Sequence, residues 1–255
     1  MRIAIVGYTG FVGSNLAAAI STPHLYNSAN IAEIRGQQFD LLINAGVSSL
    51  RWKANQEPQQ DREGIARLWD NVRTVQAGKL LHISTMDVLS GVGPQYEDSP
   101  IDESRLLPYG LHRRELERWV AEQFPNHLIV RFPHLYGRGL KKNFLWDLMH
   151  DNALHLTDDR DVFQFYHLDN LWRDLTHFLS QDANLVHVSV APLTAREVAR
   201  ECFDLDFQNT CQREPRNYDL RSRLSHRNSA ESGYMYTRDE AVAAIRDFVR
   251  AFPKS

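Results

Sequence analysis

Cysteine is scarce in this chain: two in 255 residues, Cys202 and Cys211. That excludes a disulfide framework and a cysteine-built metal site, and it fits a reducing, cytoplasmic setting. No metal site is expected from any other residue set either. No apolar run approaches the roughly 20 residues that cross a bilayer. The apolar opening at Ile3 is broken by Gly7, too early for the core of a secretory signal. Neither sign of charge is in excess: 29 Lys and Arg stand against 32 Asp and Glu, a formal net charge of −3. Nothing in that balance invites nucleic acid or an anionic membrane as partner. Internal repeats and low-complexity tracts are missing too. What is there, 43% hydrophobic and 24% charged residues, suits one large globular domain or one domain with a smaller lobe.

The strongest positive signal stands at the N-terminus. Arg2 to Val6 (RIAIV) is a β-branched apolar run, followed at once by GYTGFVG and then by the small-residue helical stretch SNLAAAI. Strand, glycine turn and helix make up the phosphate-binding unit of a Rossmann fold. Gly7 allows the tight turn, Gly10 lets backbone approach a pyrophosphate, and Gly13 lets the helix lie close to the sheet. The amides of Thr9, Gly10, Phe11 and Val12 open toward the helix start, where the dipole favours an anion.

Further apolar runs follow at Phe39–Gly46, Lys79–Thr85 and His127–Pro133, with helical patterns at Gln60–Val75 and Tyr109–Phe124 between them. Strands alternating with helices predict an α/β protein with a Rossmann-type doubly wound parallel sheet. Ligands in such sheets sit beyond the carboxyl ends of the strands. Residues after each strand therefore become candidates: Ala45 and Gly46, Thr85, and Pro133. After Gly137 the pattern changes to short segments. Helices are expected after Thr194 and after Thr237, each with Glu three residues on as in a capping box. This predicts a dinucleotide-binding core over 1–136 and a small C-terminal substrate lobe over 137–255, interleaved with returns to the core.

Taken in order, GYTGFVG, NAGVSS (44–49), ISTMDV (83–88), PYGLHRRELE from Pro108, VRFPHLYGRG (130–139) and FQFYHLDNLWRDL from Phe163 resemble the extended short-chain dehydrogenases/reductases. This is the NAD-dependent epimerase/dehydratase family of nucleotide-sugar enzymes. The resemblance implies an NAD(P)-dependent oxidoreductase or epimerase acting on a nucleotide-linked sugar. It places the catalytic Thr at Thr85 and the catalytic Tyr at Tyr109. The lysine four residues after that Tyr is Arg113 here. The short stretch between Gly13 and Ile43 is similar to the dTDP-4-dehydrorhamnose reductase branch. STMDV, YGLHR, GLKKN and FQFY together resemble a bacterial branch linked with surface-polysaccharide genes, which itself carries arginine at this position. Family members often dimerise through two helices, here Gln60–Val75 and Tyr109–Phe124, so a homodimer is an open expectation.

Tyr109 and Arg113 lie four apart on one helix face, about 6 Å along the axis. A cation there favours phenolate over the ordinary tyrosine pKa near 10. Arginine keeps that charge but cannot relay a proton. On this reading Arg113→Lys should preserve or raise turnover. The bland alternative for Arg113 is a solvated helix charge beside Arg114. Lys53, in the stretch RWKANQEP read as a loop, is a further candidate for the cofactor or for Tyr109. Lys141 and Lys142 could meet a diphosphate, and His134 and Gln164 line a pocket by position only. Asn27 and Ser28 follow the second strand where an acid would mark NAD. With no acid to repel a 2′-phosphate and no arginine to attract one, NADP is slightly favoured and NAD stays open. The competing function is a catalytically impaired dinucleotide-binding regulator or assembly protein.

Overall fold

The computed structural model describes residues 1–91, 93–224 and 233–252. The elements run β1 (Ile3–Val6), α1 (Phe11–Ala19), β2 (His24–Tyr26), β3 (Gln38–Asn44), α2 (Arg51–Gln56), α3 (Pro58–Val72), β4 (Gln76–Thr85), α4 (Pro108–Gln123), β5 (His127–Phe132), β6 (His134–Tyr136), α5 (Phe144–His150), β7 (Val162–Phe163), β8 (Phe165–His167), α6 (Leu171–Leu179), β9 (Leu185–His187), β10 (Leu193–Thr194), α7 (Ala195–Phe203) and α8 (Arg238–Ala251). Six strands form the central sheet in the order β2-β1-β3-β4-β5-β9. β1 pairs in parallel with β2 and β3, and β3 with β4. The reversal of strand order at β1 and β3 creates the topological switch point of a doubly wound sheet. Among the described residues no helix is long and apolar enough to cross a membrane.

The chain divides into two compact units: 1–90 with 100–131 and 169–186, and 91–99 with 132–168 and 187–255. Residues 91–99 go with the second unit, and after residue 131 the chain returns to the first unit only over 169–186. In the first unit Ala4, Val6, Leu42, Leu80, Leu116, Val120 and Ile129 share one buried cluster. They are fully apolar because both sheet faces are covered. α3 begins at Pro58, two residues before the expected start, and the RWKANQEP loop is instead helix α2. The connection between β2 and β3 holds only a short 3-10 turn, Ile31–Ile34, in agreement with the short spacing. Ion pairs of Arg62 with Glu115 and of Arg67 with Glu63 occupy solvent-facing positions of α3 and α4, the helices expected to pair copies of the chain.

The second unit is built on β6 with β8 and β7 with β10. Both expected capping boxes form, Thr194 with Glu197 and Thr237 with Glu240. Gln164 is not a pocket residue. It is fully buried, and its carboxamide donates to the carbonyls of Val190 and Leu220 and accepts from the Leu220 amide. His134 lies in an aromatic cluster with Phe163, Phe165 and Tyr218. Pro133 is buried at the start of this unit. Lys141 and Lys142 are exposed ahead of Asn143, which caps α5 by accepting from the Trp146 amide.

Beneath the α4 face of the sheet lies a buried polar group. Glu117 accepts two hydrogen bonds from Arg131, at 2.9 and 2.6 Å, one from Ser84 at 2.6 Å and one from Arg114 at 2.8 Å. Burial pushes its pKa up, but Arg131 with the other donors holds the carboxyl below its ordinary range. His82, nearby on β4, is 1% exposed, and among the described residues neither ring nitrogen has a well-formed hydrogen bond. Burial pushes its pKa down to about 4, offset only in part by the Glu117 charge and the Asn44 backbone. An unfolded chain protonates this histidine near its ordinary 6.5, the folded one only near 4. Between those values the unfolded state binds the extra proton, so stability falls as pH is lowered through that window. The loss attributable to His82 is on the order of 3 kcal/mol. Denaturant midpoints measured from pH 7 down to the lower end of that window should lose this slope in His82→Leu.

Candidate active site

The glycine turn is assembled by close backbone approaches. Gly7 has φ +84°, and a Cβ there would lie 2.4 Å from Gly46 Cα and 2.5 Å from the Ala45 carbonyl oxygen. The Ala45 amide donates to the Val6 carbonyl at 3.0 Å, so the loop after β3 is pinned against the turn after β1. A Cβ at Gly13 would stand 2.1 Å from the Gly7 carbonyl, which is why α1 can sit so close. Gly10 is different. Its added Cβ would meet only the Gly7 oxygen, at 3.3 Å. Gly10 is the N-cap of α1, no side chain caps it, and no acidic residue stands in the first turn. Thr9 and Gly10 are exposed, with Phe11 and Val12 half-buried. The Gly10 amide is engaged, donating to the Gly7 carbonyl at 2.9 Å, so Gly10 serves by lacking a Cβ, and the positive helix end fits a dinucleotide pyrophosphate.

At the end of β2, Asn27 is less available than expected. Its carboxamide donates to the Tyr8 hydroxyl at 3.3 Å and accepts from the Ala29 amide at 2.9 Å, closing a turn. Ser28 is exposed. Lys53 points to solvent on α2 and pairs with Glu57 at 3.7 Å, both side chains being exposed.

Thr85 ends β4 and caps the turn Met86–Val88. Its hydroxyl accepts from the Asp87 amide and donates to Asp87 Oδ2, each at 3.2 Å. Asp87 Oδ1 meets Arg51 of α2 at 3.2 Å. α4 begins at Pro108, whose fixed φ suits a first helical position. A Cβ at Gly110 would lie 2.0 Å from the Asp87 carbonyl oxygen, so only glycine lets α4 press its first turn onto the turn that follows Thr85. The Tyr109 amide donates to Asn55 Oδ1 of α2 at 3.0 Å. The structure thus gathers β4, α2 and the start of α4 around Tyr109.

Arg113 is neither a solvated charge nor a cation open to a cofactor; it is 4% exposed. Nη1 and Nη2 clasp the two oxygens of Asp61 at 2.5 and 2.9 Å. The same two nitrogens donate to the Tyr109 carbonyl at 3.1 Å and the Ser48 carbonyl at 2.6 Å. The guanidinium carbon lies 3.8 Å from the centre of the Tyr109 ring. Asp61 Oδ2 also meets His112 Nδ1 at 2.8 Å. Burial pushes the Asp61 carboxyl up, and the hydrogen bonds of Arg113 and His112 more than reverse it. For Tyr109 the balance is opposite. Burial pushes the phenol up, and the charge of Arg113 only partly offsets it. Asp61, Ser48, Asn55, Asp87 and Arg51 were not singled out from the sequence. Asp61 is 52 positions from Arg113, so no local spacing links them.

Replacing Arg113 by Lys should therefore destabilise the protein and not raise activity. A single ammonium cannot reproduce the fork on Asp61 and the Ser48 carbonyl. The expected cost is about 1–3 kcal/mol from lost charge-assisted hydrogen bonds. Arg113→Met, which strands the Asp61 carboxylate, should cost about 3–5 kcal/mol. Urea denaturation of the two variants beside the parent measures both.

A family model described as RmlD substrate binding domain matches residues 1–164. No curated protein matches the chain. Among solved structures, a dTDP-4-dehydrorhamnose reductase from Bacillus anthracis in complex with NADP aligns with TM-score 0.76 at 16% identity, covering 98% of each chain. Its counterpart from Clostridium acetobutylicum aligns with TM-score 0.75 at 17% identity, covering 98% of this chain and 99% of that one. UDP-glucose 4-epimerase from Thermotoga maritima with UDP-glucose gives 0.68 at 15%, with 98% and 99% covered. At such identities the structural likeness is one of fold. The family match, by contrast, spans well over half of the sequence, and the chain belongs to the RmlD substrate binding domain family, within the nucleotide-sugar branch of the extended short-chain dehydrogenases/reductases.

Proposed function

We propose that the chain is an NADPH-dependent reductase of a keto group on a nucleotide-linked sugar, working in bacterial surface-polysaccharide synthesis. The observation that carries this reading is geometric: α4 presses its first turn onto the turn after Thr85 at Gly110, which brings the buried Tyr109 ring, with Arg113 over it, next to Thr85. A protonated phenol there can give its proton to a carbonyl oxygen, and takes it back in the reverse step. Reduction is the direction in which it acts as the acid. The family match, and neighbours that are dTDP-4-dehydrorhamnose reductases, support the same direction.

In this reading Gly7, Gly10 and Gly13 give the dinucleotide its cradle, and the first amides of α1 hold its pyrophosphate. Ala45 and Gly46 form the opposite wall, and Ser28 with no neighbouring acid admits a 2′-phosphate. When bound, the dihydronicotinamide supplies the hydride for the carbonyl carbon. Thr85 turns its hydroxyl from Asp87 to the carbonyl oxygen and orients it. Tyr109 Oη gives its proton to that oxygen, and the phenolate is reprotonated from solvent because Arg113 cannot relay a proton.

A second reading rests on Arg113. Where the resemblance expects a lysine facing cofactor and tyrosine, the guanidinium is engaged by Asp61 and Ser48. A dinucleotide-binding protein without turnover would tolerate that.

Calorimetry with NADPH and NADH, followed by NADPH oxidation on a 4-keto nucleotide sugar, separates the readings. The reductase reading expects binding, turnover, and a fall of about 10²-fold or more in Tyr109→Phe. Gly10→Val should fold and lose binding. Binding without turnover favours the second reading, and turnover insensitive to Tyr109→Phe removes the first. Failure of the parent to bind either dinucleotide would sink both.

A further inference from the structure

Two cation–anion pairs face the Tyr109 phenol. From α4 itself comes Arg113, whose partner Asp61 stands on α3. From α2 comes Arg51, whose partner Asp87 stands on the turn after β4. His112 adds a third group, on Asp61 Oδ2. Each arginine arrives with its own carboxylate, so the ring is buried in surroundings whose charges cancel in pairs.

Asp61 does more than balance charge. Both its oxygens are hydrogen-bonded to Arg113, one to each Nη, which fixes the plane of the guanidinium. The guanidinium carbon lies over the phenol ring, 3.8 Å from its centre. Asp61 is itself 7% exposed at the side chain, so water does little to weaken the pair.

We propose that Asp61 is a positioning residue for Tyr109: its carboxylate holds the Arg113 guanidinium against the phenol ring and cancels its charge, so that Tyr109 keeps its proton in the resting protein. This rests on the reading of Tyr109 as the proton donor in a reductase, and it makes the resting protonation state of that donor depend on a residue of another helix. Removing the carboxylate leaves an uncompensated guanidinium against the ring, and the phenol then ionises more easily.

The experiment is an ultraviolet titration of phenolate on the full chain, without cofactor or substrate. The signal of Tyr109 is isolated by subtracting the matching Tyr109→Phe protein in each background. In the parent, Tyr109 should not ionise below about pH 10. In Asp61→Asn its midpoint should drop by about one pH unit or more, while Asp61→Glu should stay near the parent. Circular dichroism and a urea transition establish that each variant is folded. A folded Asp61→Asn whose Tyr109 titrates where the parent's does overturns the proposal. If Asp61→Asn does not fold, the double variant Asp61→Asn with Arg113→Gln gives the answer. A neutral pair replacing a neutral pair should leave the midpoint in place, and a clear rise would show that Arg113 acts as an unbalanced cation, overturning the proposal. The titration needs no turnover, so its failure leaves the reductase reading standing, and absence of NADPH-dependent turnover leaves the titration standing.

Discussion

The candidate site depends on the bidentate contact between Arg113 and Asp61. It ties α4 to α3, and through the Ser48 carbonyl it ties both to the loop after β3. That loop is the one whose Ala45 and Gly46 lie against Gly7. A buried ion pair is weak evidence for stability, since desolvating two charges consumes much of their attraction. Its consequence here is geometric. Breaking either half strands a charge at a junction where two helices and a loop meet, so their mutual placement is strongly constrained.

The same logic recurs one turn along α4. Glu117 is held by Arg131, Arg114 and Ser84 under the sheet, with His82 alongside as a neutral ring. α4 therefore reaches the first unit through two charged anchors, with Leu116 and Val120 supplying apolar burial between and beyond them. Its N-terminal turn is then pressed onto the backbone after Thr85 at Gly110, where any side chain would collide. Tyr109 has its position set by this packing and by its amide's bond to Asn55. An arginine can thus replace a lysine without moving the tyrosine, while changing what the charge does.

Much of this architecture was legible in the residues. GYTGFVG after β1 named the turn, and the close approaches of Gly7 and Gly13 are what those glycines are for. Thr194 with Glu197 and Thr237 with Glu240 marked two helix starts, because a capping box is a local interaction and leaves a local signature. Helix α2 was hidden. RWKANQ is six residues long, has no side-chain cap and merges with Glu57 and Pro58, so its pattern read as loop. Gln164 and Asn27 looked like ligands because they stand at strand ends. The structure occupies both in holding backbone, a role that polar residues at such positions serve as readily.

Strand periodicity, glycine spacing and caps are properties of neighbours along the chain, and the sequence by itself determined them: the parallel sheet, the glycine turn, and the placing of Thr85 and Tyr109 at strand end and helix start. What Arg113 does was decided elsewhere. Whether a guanidinium faces a cofactor, water or a carboxylate depends on which side chain the fold brings opposite it, and here that is Asp61 from another helix. Nothing in YGLHRR encodes Asp61. Only the packing of α3 against α4 puts the two charges in contact, in surroundings dry enough for the contact to matter.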